Sequence, residues 1–390
     1  MSGLQSALTI DDLKVRARRR VPKQFFDYSE SGSWTETTFR ANESDFAGVT
    51  FRQRVAVDMR DRSLKSTMVG QEVGLPLAVA PAAICGLQTG DGEIHAARAA
   101  QAFGIPFTLS TMSICSIEQV AEAVDKPFWF QVYVMRDKPF MEQLIARAKA
   151  VRCSALVLTM DLQILGQRHA DIRNGMSAPP KITPGFLFEL MRKPQWGLSM
   201  LGARSRTFGN VVGKATNVSD LSSLSSWIAE QFDLALTWKE IGWAKERFDG
   251  PVIVKGILDV EDAQAAVAHG ADAIVVSNHG GRQLDGAPSS IRVLAEIVEA
   301  VGHKTEVLMD GGIRSGQDLL KALALGAKGA FIGRPILYGL GAGGEAGVTR
   351  ALEIIRKEAD VTMALLGERD IRNVGSHNIY SNGLARRQGY

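Results

Sequence analysis

Eight short apolar runs alternate along this chain with stretches of helical periodicity. The runs are Leu77–Pro81, Phe107–Ser110, Trp129–Val134, Ala155–Asp161, Val252–Lys255, Ala273–Ser277, Glu306–Asp310 and Ala330–Gly333. Between them, apolar residues recur every three or four positions, as over Ile117–Ala123, Phe140–Ala150, Val260–His269 and Gly316–Leu325, which is the period of an amphipathic helix. Gly104, Gly270 and Gly326 stand just before the next strand, where a helix commonly ends in a left-handed residue. Strands that alternate with helices pair in parallel, and eight such units favour a closed barrel over an open sheet. The expected fold is α/β, a (β/α)8 TIM barrel forming one domain over 1–390. It carries an N-terminal extension of helices and a short hairpin (1–75) that closes the barrel floor. The barrel occupies 76–174 and 236–370, with a long insert over 175–235 after strand four.

Polar residues gather where the predicted strands end: Gln131 and Tyr133, Thr159 and Asp161, Lys255, Ser277 and His279, and Asp310. Strand tips turn polar wherever they reach water, which accounts for any one of these residues but poorly for nearly every strand. In such barrels the C-terminal strand ends form the active-site face.

Composition narrows the classes. The chain has 390 residues, 45% of them hydrophobic, enough for a large core. A net charge of +3 is too small to imply nucleic acid as a partner. Arg16, Arg18, Arg19 and Arg20 read as a solvated helix face. Cys85, Cys115 and Cys153 offer neither zinc spacing nor a disulfide framework, which fits a reducing, cytoplasmic compartment and no metal. Met1 to Asp12 lack the apolar core of a secretory signal. No apolar run reaches the roughly 18 residues of a membrane span.

Three motifs carry chemistry. Ser277-Asn278-His279-Gly280-Gly281-Arg282-Gln283-Leu284-Asp285 follows strand six and sets an imidazole three residues from a guanidinium. A histidine that takes a proton beside an arginine that holds a carboxylate suits oxidation of a 2-hydroxy acid. Alone, the same residues also read as a strand-end turn with a surface arginine. Asp310-Gly311-Gly312-Ile313-Arg314-Ser315-Gly316 follows strand seven and Phe331-Ile332-Gly333-Arg334-Pro335 follows strand eight. Glycine turns at these two places, leading into helix N-termini, are the usual phosphate cradle of this barrel. Asp310 is suited to ribityl or ribose hydroxyls. Lys255, at the tip of strand five, is open to three uses: neutralising a phosphate, forming a Schiff base, or lying beside the electron-rich edge of a reduced flavin.

Together, SNHGGRQLDG, MDGGIRSG, ALALGAKGAFIGRP, WFQVYV, LTMD and VPKQFFDY resemble the FMN-dependent 2-hydroxy acid dehydrogenase and oxidase family over roughly residues 10 to 370. PQWGLSMLG and the stretch from Phe232 to Ala263 are similar to its bacterial respiratory L-lactate dehydrogenase branch. The resemblance implies His279 as active-site base and Asp161 as its partner, with Arg168 and Arg282 on the substrate carboxylate. Tyr28 and Tyr133 would add hydroxyls to the carboxylate and the 2-hydroxyl. FMN would lie against Ala82 and Ala83, with Ser110, Gln131 and Thr159 at its polar edge and Lys255 near its N1 and O2. Ser277, Asp310, Gly312, Arg314, Gly333 and Arg334 would hold the ribityl and phosphate groups. The implied assembly is a homotetramer.

The sequence departs from the family pattern at three places. Met112 stands where plant glycolate oxidases have tryptophan, Ala83 where many membrane-associated relatives have glycine, and Leu162-Gln163-Ile164 replaces a proline-containing turn. Between Pro180 and Thr216, apolar Phe186, Leu187, Phe188, Leu190, Met191, Trp196, Leu198, Met200 and Leu201 accompany Lys181, Arg192, Lys193, Arg204, Arg206 and Lys214, against the single acid Glu189. Apolar side chains with surplus positive charge suit peripheral attachment to the inner face of an anionic membrane; packing as a lid or subunit contact is the other reading. The expected function is oxidation of a small L-2-hydroxy acid, L-lactate to pyruvate, with quinone as acceptor. The alternatives are a soluble oxidase that uses oxygen and makes hydrogen peroxide, and a non-catalytic flavin-binding protein.

Overall fold

The computed structural model describes residues 3–174, 184–213, 215, 218, 227 and 230–380. Strands β1 (Ser66–Met68) and β2 (Gln71–Val73) form an antiparallel hairpin. The eight expected strands follow as β3 (Leu77–Val79), β4 (Thr108–Ser110), β5 (Trp129–Tyr133), β6 (Ala155–Thr159), β7 (Val252–Ile257), β8 (Ala273–Val276), β9 (Glu306–Met309) and β10 (Gly329–Ile332). They pair in parallel in the order β3-β10-β9-β8-β7-β6-β5-β4, and a bridge from Val79 to Phe107 joins the two ends. The sheet is thereby the closed barrel that the alternation predicts.

Strand parity then decides where each side chain goes, because alternate residues face opposite sides of a sheet. Leu156 and Leu158, Val252 and Val254, and Ile274 and Val276 point outward into the apolar layer beneath the helices. Trp129, Ala155 and Val157, Ile253, Ala273 and Val275, Leu308 and Phe331 point inward and form a separate core inside the barrel. One step further along these inward faces stand Gln131, Thr159, Lys255, Ser277 and Asp310. The polar residues at the strand ends thus share one interior.

The N-terminal extension begins with helices α1 (Ile10–Arg20), α2 (Lys23–Glu30) and α3 (Thr37–Ser44). Thr9 and Asp12 close a capping box at the start of α1, which satisfies helical N–H groups that otherwise lack partners. The extension serves both ends of the barrel, not the floor alone. The hairpin does close the floor: Met68 is fully buried in the interior core, and Val69 N–H donates to Glu306 at the foot of β9 (2.8 Å). Helices α2 and α3 lie over the opposite end. The carbonyls at the end of α2 have no partner within the helix, and they accept from Arg282 and Arg334 above β8 and β10. Helix α1 packs on the last helical segment, Arg334–Leu365, which kinks at the non-helical Gly343 and Gly344.

Around the barrel run α4 (Gly92–Phe103), α5 (Ile117–Ala121) and α6 (Lys138–Ala150), with later helices at Lys239–Arg247, Val260–Ala268, Ser290–Val301 and Gly316–Ala324. A one-turn helix, α7 (His169–Arg173), leads into the insert, where α8 (Pro184–Met191) and α9 (Pro194–Leu201) are described. Trp196 stacks on Phe25 and donates to the Leu87 carbonyl, and Lys193 donates to the carbonyls of Arg18 and Arg19 at the end of α1. Phe188, Met191, Leu198 and Leu201 are exposed at 58–73%. Lys181 and Lys214, and the side chains of Phe186 and Leu187, lie outside the described residues. No helix among the described residues is long and apolar enough to cross a membrane.

Candidate active site

His279 sits two residues beyond the inward Ser277 with φ of 57°, a left-handed conformation that is costly for a side chain of this size and clusters at functional sites. Its backbone N–H donates to Ser277 Oγ (3.1 Å). Its Nδ1 lies 3.0 and 3.1 Å from the two carboxylate oxygens of Asp161. Burial pushes the imidazole below its ordinary pKa, while Asp161 opposes the shift. Burial would raise the Asp161 pKa, but His279 and Lys255 hold it below the usual carboxylate range. The ring is therefore neutral above mildly acidic pH and donates from Nδ1 to an ionised carboxylate. That leaves Nε2 with a free lone pair.

Two arginines face the same cavity with Tyr28 and Tyr133. Arg282 is fastened on one side: Nη1 donates to the carbonyls of Tyr28 and Ser31 and to Ser31 Oγ, Nη2 contacts Asp171 (3.2 Å), and the guanidinium lies over the Tyr28 ring. Arg168 donates from Nε to the Arg282 carbonyl (3.4 Å), and its two Nη groups have no protein partner among the described residues. Burial and the nearby Arg282 charge both push the Arg168 pKa down. Two half-buried guanidiniums with unused donors can bind an anion, and the planar fork suits a carboxylate. Burial, reinforced by Tyr28, raises the Tyr133 phenol, which keeps its proton as a donor.

The other half of the cavity is lined by Ala82, Ala83, Gln131, Thr159, Lys255, Asp310, Gly312, Arg314, Gly333 and Arg334. Lys255 pairs with Asp310 (2.7 Å) and donates to Ser277 (2.7 Å). Held by a carboxylate and a hydroxyl, Lys255 is placed to act as a fixed charge toward an anionic group. Three of the predicted residues stand one layer back. Ser110 donates to Gln131, Ser277 supports Lys255, and Asp161 borders an adjoining crevice with Trp34 and Leu165.

This half fits FMN on two observations. Asp310 Oδ1 is buried without a hydrogen-bond partner in the protein, a cost that a ribityl hydroxyl would remove. The turn at Gly312 has φ of 88° and passes so close to Asn42 that a Cβ there would meet its carbonyl oxygen at 1.7 Å, so the backbone itself lines the cavity. The arginines are less free than their spacing implies. Arg334 donates to the carbonyls of Ser29, Ser31 and Gly280, and its burial, with Arg314 and Arg282 nearby, pushes its pKa down to about 10. Arg314 reaches Glu43 (2.7 Å). Both are fixed charges at the cavity wall.

Several supporting residues carry no motif. Gly256 forms a bulge in β7 with φ of 109°, and a Cβ there would lie 2.7 Å from that of Asp161. Asn42 and Asn278 exchange reciprocal amide hydrogen bonds of 2.8 Å, and Asn278 also accepts from Gly281, which shapes the turn that bears His279. Gln283 donates to the carbonyls of Asp161 and Ile164, holding the turn that lacks proline. A glycine after Lys255 is the one local sign; the rest are pairings between distant segments.

The sequence and the fold match a known family. The chain matches the model of the FMN-dependent dehydrogenase family over residues 17–381. It is 44% identical over 365 residues to an L-lactate dehydrogenase of Caulobacter vibrioides, covering 93% of this chain and 95% of that one. Its structure is similar to the monotopic membrane protein (S)-mandelate dehydrogenase with a TM-score of 0.92 at 34% identity, covering 97% and 100% of the two chains. A mandelate oxidase bound to (S)-4-hydroxymandelic acid gives a TM-score of 0.82 at 37% identity, covering 94% and 96%. The chain belongs to the FMN-dependent dehydrogenase family, and is an FMN-dependent 2-hydroxy acid dehydrogenase.

Proposed function

We propose that this dehydrogenase oxidises L-lactate to pyruvate and delivers the electrons to a quinone at a membrane surface. The observation that carries the chemistry is the pairing of His279 with Asp161 beside the unused donors of Arg168. Arg168 and Arg282 take the substrate carboxylate, and Tyr28 and Tyr133 donate to it and to the 2-hydroxyl. His279 Nε2 accepts the substrate proton. Asp161 then stabilises the imidazolium through Nδ1, in the manner of an oriented base. FMN supplies the two-electron acceptor when bound. Ala82 and Ala83, with Gln131, Thr159 and Lys255, would hold its ring, and Asp310, Gly312, Arg314, Gly333 and Arg334 its tail, while Ser110 and Ser277 would support Gln131 and Lys255 from one layer back. The buried Lys255 charge would stabilise negative charge on the bound ring.

The preference for lactate is supported by the 44% identical relative. Membrane attachment is supported by the exposed Phe188, Met191, Leu198 and Leu201, by the nearby Arg192, Arg204 and Arg206, and by likeness to a monotopic dehydrogenase. Anaerobic addition of L-lactate to the holoenzyme should bleach the flavin, and a short-chain quinone should restore its colour faster than dissolved oxygen. Absence of bleaching overturns the substrate. Rapid recovery in oxygen with hydrogen peroxide formed one for one replaces the quinone reading by an oxidase.

A further inference from the structure

Asp171 has no place in the chemistry assigned above, yet it is a buried carboxylate beside the substrate arginines, 8% exposed. Its Oδ2 lies 3.2 Å from Arg282 Nη2, and its Oδ1 accepts the Ser31 hydroxyl at 2.7 Å. Ser31 Oγ in turn accepts from Arg282 Nη1 at 2.9 Å, closing a ring of three side chains. Every hydrogen bond of the Arg282 guanidinium to the described residues thus runs through its two Nη groups, and Nε has no hydrogen-bond partner among them. Arg168 is the N-cap of the short helix that carries Asp171, three residues on. One turn therefore carries one carboxylate-binding arginine and the counter-ion of the other. That helix is anchored to α2 by Asn174, which donates to Asp27 (2.9 Å).

We propose that Asp171 is a positioning residue for the substrate carboxylate, acting through Arg282; this rests on the reading of the cavity as a 2-hydroxy acid site. Two guanidiniums held close together repel each other, and a long side chain freed on one edge samples many rotamers. Asp171 offsets the repulsion before substrate arrives and, with Ser31, fixes the plane of the guanidinium. The Nε edge is then presented to the incoming anion without reorganisation, which is how a pre-ordered donor raises affinity.

The test compares L-lactate with the neutral L-lactamide on the holoenzyme and on Asp171→Asn, which keeps the volume and removes the charge. For the substituted enzyme, KM for lactate should rise about tenfold, the scale of a lost charged hydrogen bond, with kcat little changed. Its kcat/KM for lactamide should stay within about twofold, since no carboxylate is present to be positioned. The acid-over-amide preference therefore falls about tenfold. A parallel loss with both substrates, or no change in either, overturns the positioning role while leaving the site reading intact. If the unsubstituted enzyme shows no preference for the acid, the carboxylate reading fails and the proposal with it. Should Asp171→Asn yield no holoprotein, Ser31→Ala, which releases the other oxygen of Asp171, must shift the same preference in the same direction; an unchanged preference there counts against the proposal.

Discussion

At the floor of the barrel Met68 is sealed among Ala78, Trp129, Ala155, Ile253, Ala273 and Phe331. At the mouth, further along the same strands, stand Lys255 and Asp310, Ser277, His279 and Arg282, with Asp161 and Arg168 beside them. The floor has apolar groups whose burial drives folding. The mouth has buried charges, a histidine in a left-handed conformation and a carboxylate oxygen without a partner. Each of those features costs stability unless a ligand or a second protein group compensates. The contrast teaches a division of labour: one end stabilises the closed sheet, and the other uses that stability to hold groups in arrangements they would not adopt alone.

Four experiments can break or sharpen that division. The largest effect is expected for His279→Gln, which should lower the rate of flavin reduction by L-lactate about 10²–10⁴-fold, the range for a general base. FMN content and thermal stability should persist; undiminished bleaching would remove the base from the scheme. Met68→Ala should do the reverse, costing about 2–4 kcal/mol in urea unfolding by leaving a cavity while kcat of the folded enzyme is kept. A loss of kcat rivalling that of the histidine variant would erase the distinction between floor and mouth.

A third, smaller effect is a shift in pH dependence. A base must be unprotonated, so kcat/KM should fall as pH drops through the His279 pKa, which burial places below its ordinary value of 6.5. Asp161 acts to raise that pKa, so Asp161→Asn should move the acid limb to still lower pH as well as slow the reaction; a limb moving upward contradicts the assigned pairing. The smallest effect belongs to the insert. Replacing exposed Met191 and Leu198 by glutamate should alter stability by no more than about 0.5 kcal/mol and leave dye-linked turnover unchanged. Sedimentation with anionic vesicles should decline; unchanged sedimentation would discard the attachment surface.

Local pattern in the chain was enough for all eight barrel strands, each found within two residues of its expected start and end. The same pattern revealed the face on which chemistry gathers, since alternation along a strand dictates inside and outside. It was also enough for the turns bearing His279 and Asp310, because glycines at close approaches leave a visible mark. It could not say that α2 lies over the mouth, that Lys255 is neutralised by Asp310, or that Arg334 is spent on carbonyls of the extension. Asn42 and Asn278 meet across 236 positions, and Asp161 and His279 across 118.

The residues themselves determined the period, the turns and the kinds of chemical group available, because those follow from neighbours one to four places apart. Only barrel closure decided which groups meet, which charges are balanced and which donors stay free. Such pairings depend on distances in space that no spacing along the chain encodes.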